Sequence, residues 1–355
     1  MPTRSPARVA LISPIEDDIP VQVSAYKAWM PRYGSVAVAQ AVRDAGYELR
    51  FFCEHSGSTV DWDYVLSSDY VCLSLMTFSA PRGFRYADRV RKQSKALVIV
   101  GGCHASVAAE DCLDHADFVV RNEGEGALLD LLRTLDHGRD PSTIAGVSLR
   151  VVGGYRHNPD RPFLQDLSSP VDLSLIEGYP KNTLGRFLKE AIWRRRVPRI
   201  SLPVAQASRG CVHRCRFCMV KHELGAQHRR RPPDVVVSEI QRSLEFLRSR
   251  TVFFVDNDFT HDADHAVAIL EPLVDAFEGR FSLYFFSRIS LARKPRLLEV
   301  LRRIKNVYIG VGFESTNDLT LDQFAKGQSR AEINDAVRTL HECGFNIHGL
   351  FIFGS

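Results

Sequence analysis

The sequence has little excess of charge of either sign. Its 46 lysines and arginines against 42 aspartates and glutamates give a formal net charge of only +4 over 355 residues. So small an excess does not favour a nucleic-acid partner. No apolar run approaches the roughly 20 residues of a membrane-spanning helix, so we expect no integral membrane segment. The opening stretch MPTRSPARVALIS lacks the apolar core of a secretory signal, which favours a cytoplasmic protein.

Cysteine, by contrast, is crowded in one place. The chain has eight cysteines, and without a secretory signal they favour metal or redox chemistry over disulfide bonds. Three of them, Cys211, Cys215 and Cys218, lie in the stretch ASRGCVHRCRFCMV. They follow the predicted strand RISLPVAQAS, and Gly210 in front of them permits a sharp bend. A loop of this kind can direct three thiolates toward one object.

Three kinds of site fit three cysteines at this spacing. A zinc ion needs a fourth ligand, which His213 or His222 offers, but structural zinc sites more often use paired CxxC arms and only one CxxC is present. A catalytic thiol does not need two neighbours. A four-iron, four-sulfur cluster held by three cysteines leaves one iron open. An open iron can chelate a small molecule through an amine and a carboxylate, and the spacing favours this cluster.

The first part of the chain alternates candidate strands with candidate helices. Apolar runs such as DYVCLSLMTF and ALVIVGG are typical of buried parallel strands, so residues 1–152 are predicted to form a doubly wound α/β domain. Ligands of such sheets lie at the carboxyl ends of the strands, where Gly101 and Gly102 are placed. Residues 153–198 contain turn-forming stretches and weak periodicity, and they are predicted to form a connector.

Residues 199–355 resume the alternation in the manner of a (β/α) barrel, whose chemistry belongs at the carboxyl ends of its strands. The candidate barrel strands are ISLPVAQ, TVFFVDN, FSLYFFS, VYIGVGF and IHGLFIF. The last of them leaves an open strand edge, which is an aggregation hazard, so we expect the barrel to be truncated at its C-terminal end. The predicted fold class is α/β, with an N-terminal doubly wound (Rossmann-like) domain and a C-terminal partial (β/α) barrel.

The cysteine-bearing half carries a family resemblance. SRGCVHRCRFC resembles the CxxxCxxC signature of radical S-adenosylmethionine (SAM) enzymes, which implies a cluster on Cys211, Cys215 and Cys218. RRRPPDVVVSEI, FFVDNDF, FFSRIS and VGFES are similar to later segments of the same family. The residues that the resemblance assigns to SAM are Phe217, Asp256, Asn257, Asp258, Ser287, Arg288 and Glu314.

The N-terminal half resembles the cobalamin-binding domain that is fused to one branch of this family. The similar segments are CLSLMTFS, LVIVGGCHASVAAED and VVRNEGEGALLDLL, the last with Asn122 where the family has glycine. The cobalamin contacts that this resemblance implies are Ser74, Thr77, Gly101, Gly102, His104 and Glu123. The chain has no Asp-x-His-x-x-Gly stretch, so we expect cobalt to have no nitrogen ligand from the protein.

The resemblance implies an enzyme that cleaves SAM reductively to a 5′-deoxyadenosyl radical, with a 4Fe-4S cluster, SAM and cobalamin as cofactors. It further implies cobalamin-dependent methyl transfer to an unactivated carbon of a small molecule, with an electron donor such as flavodoxin or ferredoxin as partner. Two alternatives stay open. One is a radical SAM cyclase or rearrangement enzyme whose first domain is a scaffold without cobalamin, and the other is a zinc-stabilised binding module. The sequence names no substrate and no residue that acts on it.

Overall fold

The chain forms two compact units. The computed structural model describes residues 6–16, 30–179, 181–193 and 200–354. The first unit comprises Met1–Leu164 and Val171–Ser201, and the second comprises Gln165–Pro170 and Leu202–Ser355. Among the helices of the described residues, none is both long and apolar enough to cross a membrane.

The first unit is built on a sheet of seven described strands. In sequence order they are Arg8–Ser13 (β1), Glu48–Cys53 (β2), Tyr70–Ser74 (β3), Leu97–Gly101 (β4), Phe118–Val120 (β5), Val147–Val151 (β6) and Gly154–His157 (β7). Their spatial order is β2-β1-β3-β4-β5-β6-β7. β1 to β5 are parallel, whereas β6 is antiparallel to β5 and β7 is antiparallel to β6. The strand order reverses between β1 and β3, and doubly wound sheets bind ligands at such a reversal.

Helices cover both faces of this sheet. They are Tyr33–Asp44 (α1), Trp62–Leu66 (α2), Ala80–Gln93 (α3), Cys103–Val107 (α4), Ala109–His115 (α5) and Gly124–Asp136 (α6), and the short helix Leu184–Leu188 (α7) follows the sheet in the chain. α1 packs against α6, and α3 packs against α5. Ile12 of β1 and Leu73 of β3 share one core with Val90 of α3. The alternate residues Val9 and Leu11 are buried outside that core, so both faces of β1 are covered, which confirms the predicted doubly wound domain.

The second unit is a partial barrel. Its strands are Val204–Ala205 (β8), Ser208–Arg209 (β9), Arg229–Arg230 (β10), Thr251–Phe254 (β11), Ser282–Ser287 (β12), Asn306–Glu314 (β13) and Asn346–Phe351 (β14). β8, β11, β12, β13 and β14 form one parallel sheet in sequence order, and β9 pairs antiparallel with β10. A parallel sheet in sequence order is what repeated βα units produce, so the predicted partial (β/α) barrel is confirmed.

Helices of the second unit pack on the outside of this sheet. After the short helix Val220–Glu223 (α8), which has no buried residue, they are Pro233–Leu247 (α9), Ala263–Phe277 (α10), Pro295–Arg302 (α11), Asp318–Gln323 (α12) and Arg330–Glu342 (α13). Along β12, Leu283 and Phe285 are fully buried in the core with Leu270 of α10. Tyr284 and Phe286 alternate with them and are half-buried. The period of two therefore separates a helix-facing side of the sheet from an inner side that lines the barrel.

A buried ion pair anchors the chain just before the cysteines. Arg231 Nη2 lies 2.9 Å from Glu239 Oε2, and each side chain is only 2% exposed. The same guanidinium donates to the carbonyl oxygens of Gln206 at 2.9 Å, Leu167 at 3.1 Å and Ser169 at 2.9 Å. The planar fork of arginine satisfies this many acceptors at once. The RRRPPDVVVSEI segment thus fixes the backbone that leads into the loop of Cys211, Cys215 and Cys218, which we call the cysteine loop.

Candidate functional site

The carboxyl ends of the barrel strands open on one cavity of about 270 Å³. All ten residues that the sequence assigns to the cluster and to SAM line it, namely Cys211, Cys215, Cys218, Phe217, Asp256, Asn257, Asp258, Ser287, Arg288 and Glu314. These residues come from segments as far as about a hundred positions apart in the sequence. They meet because the parallel strands end at one edge of the sheet. The structure brings these residues together, and their individual roles stay predictions.

The cysteine loop begins with a bend that only glycine can make. Gly210 has a φ of 83°, and a Cβ added there would lie 2.1 Å from the carbonyl oxygen of Gln227 and 2.9 Å from that of Leu224. Directly after it, the backbone N–H of Cys211 donates to the carbonyl oxygen of Gly225 at 3.2 Å. The returning chain, residues 224–227, therefore packs directly on the backbone where the first cysteine begins.

Asp256 holds the other side of this bend. Its carboxylate accepts hydrogen bonds from the backbone N–H of Ala207, at 2.9 Å, and from the hydroxyl of Ser208, at 2.6 Å. The side chain is fully buried, and burial raises the pKa of Asp256 to about 6. Both carboxylate oxygens of Asp256 therefore accept hydrogen bonds from the protein itself. Asp256 positions the strand that enters the cysteine loop. A direct contact between Asp256 and SAM stays a prediction.

Asp258 and Ser287 belong to one hydroxyl network. Asp258 Oδ1 accepts from Thr260 Oγ1 at 3.1 Å, and the hydroxyls of Thr260 and Ser287 are 2.6 Å apart. Burial acts to raise the pKa of Asp258, but His213 and Thr260 hold that pKa below its usual value. Asn257, in contrast, is exposed. The loop after β11 therefore presents one buried carboxylate and one exposed amide.

Sequence reasoning missed Lys326, which also lines the cavity. Its Nζ lies 2.7 Å from Glu314 Oε1, with both side chains nearly buried, and 5.8 Å from the ring centre of Phe217. Gly312 leaves room for this pair, because a Cβ there would lie 2.4 Å from Glu314 Oε1. Glu314 has a φ of 64°, an uncommon conformation for a residue other than glycine. Lys326 follows a short helix and belongs to no recognisable sequence pattern. Only the fold places it in the cavity.

Arg288 contacts the cysteine loop directly. Its Nη1 lies 3.7 Å from Cys215 Sγ, and its Nη2 donates to the carbonyl oxygen of Lys326. Cys215 is buried, so the guanidinium reaches it away from bulk water. Hydrogen bonds to the cysteine sulfurs of an iron–sulfur cluster raise its reduction potential, because they stabilise the more negative reduced form.

Replacing Arg288 with glutamine should lower the reduction potential of a cluster bound here by about 60 mV, the shift of a tenfold change in a one-electron equilibrium. A redox titration followed by electron paramagnetic resonance would measure this shift in the protein without SAM. The matched control is Arg293→Gln, an exposed arginine paired with Glu332. Equal potentials in Arg288→Gln and wild type would show that the guanidinium does not contact the thiolate.

The first unit presents glycines and a serine at the carboxyl edge of its sheet. Ser74 ends β3 and Gly101 ends β4. A Cβ on Gly101 would meet the carbonyl oxygen of Val120 at 3.4 Å, an ordinary van der Waals contact, so the protein's own packing does not require glycine here. Gly102 differs, because a Cβ there would lie 2.5 Å from the carbonyl oxygen of Leu75 at a φ of 95°. The glycine at 102 is therefore required by the protein's own backbone.

His104 is buried without a hydrogen-bond partner. Neither ring nitrogen has one among the described residues, and the ring centre lies 5.8 Å from that of Phe84 on α3. A buried polar group without a partner needs an explanation such as a missing ligand. The amide side chains of a corrin offer both donors and acceptors, so the site fits the cobalamin that the sequence implies.

The remaining predicted cobalamin contacts lie on nearby loops. Thr77 is exposed at the start of the turn Thr77–Ser79. Glu123 is buried, and its Oε2 accepts from the backbone N–H of Leu164 at 2.7 Å. Asn122 has a φ of 60°, a conformation that asparagine tolerates better than most residues. This explains why asparagine can stand where the cobalamin-binding segment usually has glycine.

Two family models match the chain. The B12 binding domain model matches residues 21–132, and the Radical SAM superfamily model matches residues 206–354. A radical SAM domain implies a 4Fe-4S cluster and SAM, and a B12-binding domain supports cobalamin. The predicted cofactors are therefore confirmed at the level of the two domains. The zinc-stabilised binding module does not account for these matches and is set aside.

Individual proteins agree with these matches. The chain is 24% identical over 313 residues to bacteriochlorophyllide d C-12(1)-methyltransferase of Chlorobaculum tepidum, covering 87% of this chain and 61% of that protein. It is 25% identical over 268 residues to an anaerobic magnesium-protoporphyrin IX monomethyl ester cyclase of Cereibacter sphaeroides, covering 73% of this chain and 42% of that protein. The chain thus spans less than two thirds of each of these relatives.

A solved structure shows the same fold. The chain resembles the radical SAM methyltransferase TsrM from Kitasatospora setae, solved with cobalamin and a [4Fe-4S] cluster bound, with a TM-score of 0.75 and 18% identity. The match covers 98% of this chain and 67% of TsrM. Together with the cysteine-lined cavity and the two family models, this fold confirms the predicted resemblance. The chain therefore carries a domain of the radical SAM superfamily over residues 206–354, behind a B12-binding domain over residues 21–132.

Proposed function

We propose that this protein is a cobalamin-dependent radical SAM methyltransferase that acts on an unactivated carbon of a small molecule. The observation that carries the proposal is the convergence of the three cysteines and seven candidate SAM residues on one cavity at the strand ends of the barrel. The B12-binding match on the first unit supports cobalamin as the second cofactor. We propose flavodoxin or ferredoxin as the electron donor, since radical SAM chemistry needs a reductant.

The cofactors supply the difficult chemistry: a cluster with one open iron delivers the electron that cleaves SAM, and cobalamin carries the methyl group. The chain's own residues would bind these cofactors and orient them. Cys211, Cys215 and Cys218 would hold three irons, and Arg288 would donate to the Cys215 thiolate. The bend at Gly210 and its contacts would keep the three thiols in place.

SAM offers an ammonium group, a carboxylate and ribose hydroxyls, and the cavity offers partners for each. Lys326 would attract the carboxylate, and Glu314, which already pairs with Lys326 at 2.7 Å, would accept from the hydroxyls. The exposed amide of Asn257 would reach the ammonium group. Phe217 and Phe286 supply apolar walls, which exclude water and stray hydrogen donors from a radical.

Cobalamin bound to the first unit should have no nitrogen ligand from the protein. His104, the nearest candidate, is buried beside Phe84, and its ring nitrogens would serve the amide side chains of the corrin and not the cobalt. Electron paramagnetic resonance of the cobalt(II) form should therefore lack nitrogen superhyperfine splitting from the protein, and His104→Ala should leave the spectrum unchanged. A splitting that disappears in His104→Ala would contradict this prediction.

A second candidate function is radical cyclisation, and it is favoured by the similarity to a magnesium-protoporphyrin monomethyl ester cyclase. The two functions leave different products. A methyltransferase consumes one SAM for its methyl group and releases S-adenosylhomocysteine, and it consumes another by reductive cleavage, which gives 5′-deoxyadenosine. A cyclase needs only the reductive cleavage.

The test is an anaerobic incubation of the reconstituted chain with SAM, hydroxocobalamin and a reductant, followed by quantification of both products. The proposal predicts 5′-deoxyadenosine and S-adenosylhomocysteine, each dependent on the cluster, and the latter dependent on cobalamin. 5′-Deoxyadenosine alone would favour the cyclase. Neither product, from protein with a complete cluster, would contradict radical SAM chemistry altogether.

A further inference from the structure

Three histidines gather around one of the cavity's carboxylates. We call His213, His228, Asp258 and His261 the histidine–aspartate cluster. His213 lies in the cysteine loop, between Cys211 and Cys215, and His228 directly precedes β10. Asp258 and His261 lie in the loop between β11 and α10. Four potential metal ligands thus come together from three separate segments of the second unit.

Their ligand atoms are close enough to share an ion. One nitrogen of His213, one nitrogen of His261 and one carboxylate oxygen of Asp258 lie within 4.8 Å of one another. His213 Nε2 is 3.8 Å from Asp258 Oδ2, which is too long for a hydrogen bond. Zinc ligands about 2.1 Å from the ion stand about 3.4 Å apart in a tetrahedral site. Small side-chain rotations would therefore close the cluster on an ion.

Two buried atoms of the cluster need a partner. Asp258 is 6% exposed, and its Oδ2 has no hydrogen-bond partner among the described residues. His228 Nε2 is also buried without a described partner, and its ring centre lies 4.8 Å from that of His261. Leaving buried polar atoms unsatisfied is costly, and a cation would satisfy the carboxylate oxygen and an imidazole lone pair at once.

The loop that holds Asp258 and His261 is already rigid. Thr260 Oγ1 donates to Asp258 Oδ1 at 3.1 Å, which leaves Oδ2 directed elsewhere. Lys294 Nζ donates to the backbone carbonyl oxygens of Thr260 and of His261, the latter at 2.9 Å. The hydrogen bond from Thr260 is of the kind that orients a metal ligand and strengthens metal binding, and the Lys294 contacts hold the backbone of the loop.

We propose that His213, Asp258 and His261 bind a divalent zinc ion, with His228 placed to complete the site. Two imidazoles and a carboxylate suit a borderline ion such as Zn²⁺. The ion would tie the cysteine loop, through His213, to the loop after β11. The inference goes beyond the proposed function, because it adds a metal that radical SAM chemistry does not require. It also assigns Asp258 to this metal in place of SAM.

The test uses the full chain with its iron–sulfur cluster complete, so that the three cysteines are occupied. After removal of loose metal with a chelator, the protein is titrated with ZnCl₂ without oxygen, and bound zinc and iron are counted separately. We expect about one zinc per chain beyond the cluster iron. Asp258→Asn and His261→Ala should each weaken zinc binding at least about tenfold. His222→Ala, an exposed histidine just after the cysteines, should bind zinc as the wild type does.

X-ray absorption at the zinc edge keeps the test decisive even if a variant folds poorly. The wild-type protein should show a first shell of nitrogen and oxygen only, at about 2.0–2.1 Å. A sulfur shell at about 2.3 Å would place the zinc on cysteines and overturn the site. No zinc beyond the cluster iron, or zinc retained equally by Asp258→Asn, would overturn it as well. The iron count reports the cluster independently, so a failed cluster and a failed zinc site are distinguished.

Discussion

Alanine at Cys211, Cys215 or Cys218 should abolish both cluster assembly and SAM cleavage. Each thiolate would hold one iron of a cluster whose fourth iron must stay open for SAM, so losing one leaves no ligand to replace it. The wild-type chain should take up about four irons and four sulfides on anaerobic reconstitution, the stoichiometry of a [4Fe-4S] cluster. Iron and sulfide assays and 5′-deoxyadenosine formation measure the two effects.

Cysteines outside the loop provide the controls. Cys103→Ala and Cys343→Ala should keep the cluster, since neither thiol lines the cavity. Cys343 instead lies 3.1 Å from Arg302 Nη2, at the end of α13. The assignment is wrong if either control abolishes SAM cleavage while the three loop cysteines tolerate alanine.

Gly210→Ala should prevent most of the cluster from assembling, although it changes no ligand. A φ of 83° alone costs a residue with a Cβ about 1–2 kcal/mol, which a folded domain can bear. The approach of 2.1 Å to the carbonyl oxygen of Gln227 decides the outcome, because a backbone atom cannot move aside as a side chain can. The bend must open, and Cys211 moves with it.

The control for Gly210 is Gly34→Ala on α1, where an added Cβ meets nothing within 4 Å. Iron content and circular dichroism after reconstitution should separate the two variants, with Gly34→Ala equal to wild type in both. A Gly210→Ala protein that binds a full cluster would contradict the close packing of residues 224–227 on this glycine.

Local patterns of apolar residues in the sequence predicted much of the fold. The alternation of apolar runs with helical spacing predicted the parallel strands of both units, because a strand buried on both faces is apolar along its whole length. The same reasoning missed the hairpin of β6 and β7, which is antiparallel and joined by two residues, Val152 and Gly153. A glycine in a two-residue connection is a hairpin signal, but Gly153 lay at the predicted boundary between domain and connector.

The site was predicted as a set of residues, and its interactions were not. Spacing brought out the three cysteines, while the family resemblance named the acidic and basic residues. Neither shows that the Asp256 carboxylate accepts hydrogen bonds from Ala207 and Ser208. Neither shows that Lys326 pairs with Glu314 or that His213 faces Asp258. Such contacts join residues that are distant in the sequence, and only the fold determines them.

The most direct test of the central claim is the visible absorption spectrum of the full chain after anaerobic reconstitution with iron, sulfide and hydroxocobalamin and removal of unbound reagents. If one chain holds both cofactors, the spectrum will show the broad absorption of an iron–sulfur cluster together with the bands of a corrin. A protein that retains only one of these two absorptions, or neither, after this treatment would contradict the account.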